Sequence, residues 1–215
     1  MLVLAPFHKQ TFTPKKSFPK NNKAPTILFV GRVAPNKGHK TLICIFNEYL
    51  KRYNDMATLV IVGGTDPNLR DYQEEIIALI NEFGISSQIN WKKNLTDLEL
   101  KRCYLNSDIF LCVSEHEGFC VPLVESQSMG LPVVSTKTSA IDETLGPDQL
   151  TERYPNRKVD YLFYAKILNE IMVDSILSDE VVEAGFRNFR ERFDLNIISD
   201  LFAEIIALIL LKKLI

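Results

Sequence analysis

Two clusters in this sequence carry residue types able to grip an anion and orient hydroxyl groups. The first is Gly31-Arg32-Val33-Ala34-Pro35-Asn36-Lys37-Gly38. It sets a guanidinium that can hold two oxygens at once and a compact ammonium between glycines that let the backbone turn tightly. A diphosphate suits that combination. The spacing is neither of the common phosphate-loop patterns, since no Gly-Lys-Ser/Thr follows and G-x-G-x-x-G is not met. The second cluster runs Ser114-Glu115-His116-Glu117-Gly118-Phe119-Cys120-Val121-Pro122-Leu123-Val124-Glu125. Pro122 is placed for the first turn of a helix, which puts Glu117 in the loop before it and Glu125 on the helix. Amides of residues 118–121 at such a helix start can receive phosphate oxygens, and the flanking carboxylates can accept hydrogen bonds from hydroxyls. That implies a sugar on one side and a ribose on the other. Each cluster also has a plainer reading: a solvated loop for the first, and exposed acids favoured by a helix dipole for the second.

These residues need elements to position them, and the apolar pattern supplies them. Thr26 to Val30, Thr58 to Val62, Ile109 to Val113 and Pro132 to Ser135 are short apolar runs that read as strands, with Gln88 to Trp91 a weaker one. Between them, Leu42, Ile43, Phe46, Tyr49, Leu50 and Tyr53 fall on helical spacing, as do Tyr72, Ile76, Leu79, Ile80 and Phe83 with Gly84 as a C-cap. Thr96 and Glu99 form a capping box opening a helix to about Leu105, and another helix begins near Pro122. Alternating strands and helices with fully apolar strands predict an α/β fold, a Rossmann-like doubly wound parallel sheet. Ligands of such sheets sit at the carboxyl ends of the strands. The glycine and charge clusters at 31–38, 63–66, 91–94 and 114–122 all fall there, so four loops are expected to converge. From about Tyr161 the chain reads as helical, near 161–174, 179–191 and 195–213.

Composition removes several function classes. The chain has 215 residues, with 25 basic and 27 acidic side chains and a formal net charge of −2, so no global basic field exists for binding nucleic acid. Basic residues are nonetheless concentrated early, with no acid before Glu48. Cys44, Cys103, Cys112 and Cys120 form no C-x-x-C pair and follow no signal peptide, which predicts free thiols in a reducing cytosol. His8, His39 and His116 lack metal-ligand spacing with them, so no metal site is expected. His116 and Cys120 stand four apart, but a loop before a proline-led helix does not fix them as a nucleophile and its base. Cys103 and Cys112 are expected in the core.

Gly31-Arg32-x4-Lys37-Gly38, the Gly63-Gly64 turn, and Glu117-Gly118-Phe119-x5-Glu125 followed by Gly130-Leu131-Pro132-Val133-Val134 together resemble the nucleotide-binding half of retaining glycosyltransferases of family 4. These are group 1 enzymes with an E-x7-E motif and the GT-B fold. The resemblance is strong over residues 26–145 and looser to 206. It implies that Arg32 and Lys37 neutralise the donor's diphosphate and that Glu117 binds hydroxyls of the donor sugar, these three being the catalytic set. It further implies that Glu125 binds the ribose and that Gly118, Phe119, Cys120 and Val121 present backbone to sugar and β-phosphate. Gly31, Gly63 and Gly64 would line the donor, and the loop from Trp91 to Asn94, with Lys92, would meet the base. No metal or cofactor is implied, because the cationic pair takes that role; the GDP- or UDP-linked sugar is the substrate. Cys120 departs from the glycine common at that position, as in members acting on bacterial surface polysaccharides.

The implied activity is transfer of a hexose such as mannose or glucose, with retention, to a glycan or lipid-linked acceptor in polysaccharide biosynthesis. A whole enzyme of this kind has a second, acceptor-binding domain, so the chain reads as one half, with that domain missing or on a separate chain. The expected organisation is a linker over 1–25, the donor domain over 26–194, and a C-terminal helix over 195–215 that packs on the other domain. Alternatives are a non-catalytic nucleotide-sugar-binding module, half of a split enzyme, or a GT-B-type nucleotide-sugar epimerase. The expected location is cytoplasmic, with the inner membrane face as a variant. The last helix is apolar nearly all round, so self-association or peripheral membrane contact is expected of it.

Overall fold

The computed structural model describes residues 24–137, 139–147, 149–152 and 159–212, so the expected linker lies almost wholly outside the described residues. Among the described residues six strands form one sheet: β1 (Thr26–Val30), β2 (Thr58–Val62), β3 (Ile89–Lys92), β4 (Ile109–Cys112), β5 (Val133–Thr136) and β6 (Leu150–Glu152). Their spatial order is β3-β2-β1-β4-β5-β6, and every neighbouring pair is parallel. This is the doubly wound arrangement expected from the sequence. The helices are α1 (His39–Arg52), α2 (Arg70–Phe83), α3 (Asp97–Leu105), α4 (Val121–Ser128), α5 (Ser139–Leu145), α6 (Tyr161–Val173), α7 (Ser175–Arg192) and α8 (Leu195–Lys212). Sequence reasoning did not foresee α5 or β6.

The strands alternate their side chains between two apolar layers. Ile27 and Phe29 of β1, with Leu59, Ile61, Ile109 and Leu111, face one side, where α1, α2 and α6 cover them. Leu28, Val60, Phe110 and Val133 face the other, against α3, α4 and α5. Because both faces are covered, β1 and β2 carry a polar residue only at their first positions, Thr26 and Thr58, and the rest of both strands, like β4, runs apolar. Leu42, Ile43, Phe46, Tyr49 and Leu50 of α1 are all buried, each contributing about 1.5–3 kcal/mol of apolar burial.

Local signals set the helix ends. Gly84 takes the left-handed conformation (φ 70°) that ends α2, its N–H donating to the carbonyls of Asn81 and Ile80. Thr96 and Glu99 close both arms of the capping box on α3. Asp160 and Asp174 cap α6 and α7, each accepting from two amides of the following turn. At the amino end of the sheet the Thr26 N–H donates to the Asp108 carboxylate at 2.8 Å, across 82 residues of sequence. Beyond Ile198, which packs near Phe189 and Phe193, α8 exposes Phe202, Leu208 and Leu210.

Candidate functional site

The loops after β1 and β2 are bound back to back. Gly31 N–H donates to the Val62 carbonyl and Val33 N–H to the Gly64 carbonyl, both at 2.9 Å, and Val33 pairs with Thr65 as an isolated parallel bridge. Gly63 N–H donates to the Lys92 carbonyl at 3.0 Å, and the Trp91 indole N–H to the Gly63 carbonyl at 3.3 Å. The approach is so close that a Cβ on Gly63 would stand 1.9 Å from the Gly31 oxygen. Glycine is therefore obligatory there. Gly64 and Gly118 differ, since a Cβ on either would meet nothing within 4 Å, so packing does not demand them.

The loop after β1 reaches across to the loop after β4. Pro35–Lys37 is one turn of 3-10 helix, ended by Gly38 at φ 71°, which starts α1. A Cβ on Gly38 would lie 2.2 Å from the Val113 carbonyl, so this corner presses against the end of β4. Glu115 N–H donates to the Asn36 carbonyl at 2.9 Å, and the Asn36 side-chain amide donates to the His116 carbonyl at 3.2 Å. The Lys37 ammonium then meets Glu117 Oε1 at 2.6 Å, with 17% and 9% of the two side chains exposed. Arg32 sits on the same loop, exposed to solvent. The loops carrying the two clusters thus meet through Asn36, Lys37 and Glu117, and the four loops converge as expected.

Glu125 is fixed from behind. It lies on the second turn of α4, and the Tyr104 hydroxyl of α3 donates to its Oε2 at 2.6 Å. Burial, reinforced by the Glu125 charge, pushes the Tyr104 phenol well above its usual range, so it stays protonated and donates. The loop leading into α4 is anchored by Thr144, whose hydroxyl donates to the Phe119 carbonyl at 2.6 Å. The Phe119 ring meets Phe193 edge-on, with centroids 5.5 Å apart. Cys120 caps α4 from the left-handed region (φ 67°, ψ 63°), and Val121 and Pro122 open the helix. The first-turn amides of α4, at Val121 and the residues before it, are turned toward its amino end, where a helix leaves donors for an anion.

Cys120 is buried with its sulfur 3.7 Å from Cys112 Sγ. The hydrogen bond between the two sulfurs pulls the Cys112 thiol below its usual range and pushes Cys120 well above it. His116 is exposed, so Cys120 has Cys112 as its partner rather than that imidazole. Cys103 is buried on α3, as expected, and all four cysteines are free thiols. Donor atoms of Cys112, Glu117 and Cys120 lie within 4.8 Å of one another. The sequence reading missed this group because it tested C-x-x-C and histidine spacing, and Cys112 and Cys120, eight residues apart, fit neither. It also missed Tyr104 and Thr144, which act through the packing of α3 and α5 on α4, and no local motif announces either.

Lys92 ends β3, and its carbonyl belongs to the loop cluster. Its side chain lines a groove of about 460 Å³ with Val60, Asn90, Glu99 and Arg102, between the sheet and α3. Behind the first loop, His39 is fully buried at the start of α1, 4.8 Å from the Phe29 ring and stacked on Trp91 at 6.2 Å. Burial lowers its pKa to about 4, and the Lys37 charge acts in the same direction.

Comparison with known proteins gives this arrangement a family. The family described as glycosyl transferases group 1 matches residues 10–186. A 2-deoxystreptamine N-acetyl-D-glucosaminyltransferase of Niallia circulans is 31% identical over 112 residues, which make up 52% of this chain and 27% of that protein. HepE of Anabaena, solved with UDP and glucose, superposes with a TM-score of 0.75 at 20% identity, over 86% of this chain and 48% of its own. The C-terminal domain of LpcC, a glycosyl transferase group 1 family protein of Francisella tularensis, superposes with a TM-score of 0.70 at 23% identity, over 86% of this chain and 97% of that domain. The chain therefore spans about half the length of HepE and nearly all of the LpcC domain.

Proposed function

This chain belongs to the glycosyl transferases group 1 family, and from that premise we propose that it is the donor-binding, C-terminal half of a retaining, metal-independent hexosyltransferase of family 4. The observation that carries the proposal is the 2.6 Å pair between Lys37 and Glu117, which joins the cationic loop to the carboxylate loop at the carboxyl ends of β1 and β4. An ammonium has three donors, so Lys37 can keep Glu117 in place while offering a proton to a phosphate oxygen. Arg32 adds a fork for the diphosphate, and the amino end of α4 adds amides at Gly118, Phe119 and Cys120. Glu117 then accepts from hydroxyls of the sugar, and Glu125, already oriented by Tyr104, accepts from the ribose. Val121 and the loop at Lys92 complete the donor's surroundings, with the base toward β3.

In the reaction, an acceptor oxygen bonds to the anomeric carbon on the face from which the diphosphate leaves. The carbon–phosphate-oxygen bond breaks, and the acceptor's proton passes to a leaving phosphate oxygen. What the protein must supply is stabilisation of charge on the departing diphosphate. Removal of one such preorganised donor costs about 10²–10³ in rate. The acceptor, a glycan or a lipid-linked saccharide, would be held by a second domain, at the inner face of a membrane if lipid-linked. No helix of the described residues is long and apolar enough to cross a membrane.

The test is thermal stabilisation by UDP and by GDP. At least one should raise the melting temperature, Arg32→Ala should abolish the rise, and addition of an acceptor-binding domain should restore sugar transfer. Gly118→Ala is the sharper variant: the open space around Gly118 leaves stability unchanged while the added methyl intrudes on the donor, so binding alone is lost. No shift with either nucleotide would refute the proposal. A shift without transfer in the reassembled enzyme would instead assign a nucleotide-sugar-binding module.

A further inference from the structure

We infer that Cys112, Cys120 and Glu117 form a binding site for a thiophilic divalent cation of the zinc class, set within the loop cluster and able to draw Glu117 away from Lys37. Two sulfurs and a carboxylate oxygen from three positions already stand within 4.8 Å of one another. In a tetrahedral site with sulfur about 2.3 Å from the metal, two sulfurs lie roughly 3.8 Å apart. Cys112 and Cys120 are at 3.7 Å, so closing on a cation asks almost no movement of them.

The backbone points the same way. Cys120 holds a left-handed conformation (φ 67°) that glycine adopts without steric cost. A side chain kept in such a place invites a reason, and the sulfur's position opposite Cys112 supplies one. The two residues come from different elements, the end of β4 and the start of α4, and the fold brings them together.

Charge balances as well. With both thiols protonated, the group holds one carboxylate against the Lys37 ammonium. Binding releases two protons to solvent and leaves two thiolates and a carboxylate around a divalent cation, with Lys37 cancelling the remaining negative charge. Thiolates select zinc-class ions over magnesium, calcium or manganese. Glu117 is 9% exposed and its neighbours His116 and Gly118 are exposed, so a cation and a completing water would enter from that side. The cation would not serve transfer. By engaging Glu117 it would compete with the donor sugar, and this consequence alone rests on the function proposed above.

The experiment uses the full chain, kept reduced with a phosphine that does not bind metal, and cobalt(II) as the optical probe. Expected is one equivalent bound, with a sulfur-to-cobalt charge-transfer band and the strong visible bands of a tetrahedral site. Zinc(II) should displace it and magnesium should not. Cys112→Ser and Cys120→Ser should each remove the charge-transfer contribution of their sulfur and weaken binding. Cys103→Ser, outside the group, should change neither. Glu117→Gln should keep the sulfur band but bind at least about 10-fold more weakly, since a direct ligand is lost and loss of even an outer-shell partner costs that much. If the cysteine variants do not fold, that Glu117→Gln titration decides. Cobalt spectra without a sulfur band, or affinity unaltered by Glu117→Gln, would overturn the site. Zinc that binds but leaves thermal stabilisation by a nucleotide sugar, UDP- or GDP-linked, intact would overturn only the competition with donor.

Discussion

At the scale of single residues, the site depends on side chains held by partners that no motif includes. Tyr104 is buried and gives its only proton to Glu125. Tyr104→Phe keeps the ring and deletes that donor, so it should cost about 1–2 kcal/mol of stability and weaken nucleotide binding together. Denaturant midpoints and nucleotide titrations of the same variant would show it, and a change in one without the other would separate packing from positioning. His39 makes a pH statement. Its folded-state pKa of about 4 lies below the ordinary 6.5, so the neutral ring is the one the fold accepts. Above pH 6.5 that stability is fully present; as pH falls toward 4, the unfolded chain takes the proton first and about 3 kcal/mol is lost. His39→Leu should flatten urea midpoints measured between pH 7 and 4, and an unchanged slope would assign the loss to the carboxylates. A cation at the first residue of α1 would also oppose the helix dipole, in the same sense.

Among the elements, contact between the loops after β1 and β2 admits no methyl group at Gly63. Gly63→Ala would drive a Cβ to 1.9 Å from the Gly31 oxygen and must separate the two strand ends. Expected is a destabilisation of several kcal/mol, seen as a lowered melting temperature, whereas Gly64→Ala, in open space, should be close to neutral. These two neighbours look alike in sequence, and only the register of the strands separates them. Legibility follows the same line. Strands β1 and β2 were readable to the residue because burial on both faces leaves an unbroken apolar run, and α2 was bounded by a glycine whose only use there is left-handed. Convergence of the loops followed from parallel pairing. The seven-residue α5 and three-residue β6 are shorter than any window in which periodicity can show, and β6 reads Leu-Thr-Glu, with a single apolar residue. The Cys112–Cys120 contact and the Tyr104–Glu125 bond were illegible for another reason. Each depends on how separate elements pack, and in the first case on a backbone angle that cysteine rarely adopts.

For the molecule as a whole, α8 presents apolar side chains to solvent on several sides, with Phe202, Leu208 and Leu210 each more than half exposed, at 52%, 59% and 58%. Patches of that kind favour association. Sedimentation of the chain should show concentration-dependent dimers that vanish when residues 205–215 are deleted, while nucleotide stabilisation remains; dimers that persist would place the contact elsewhere. The sheet has a quieter consequence. Its central strand, β1, is made early, yet one of its two partners is β4, whose neighbouring Asp108 meets Thr26 across 82 residues. At translation speeds of about 5–20 residues per second, that edge waits on the order of ten seconds on the ribosome before its neighbour arrives. During that interval it is a bare row of amides and carbonyls flanked by Ile27, Leu28 and Phe29, a template for any passing strand.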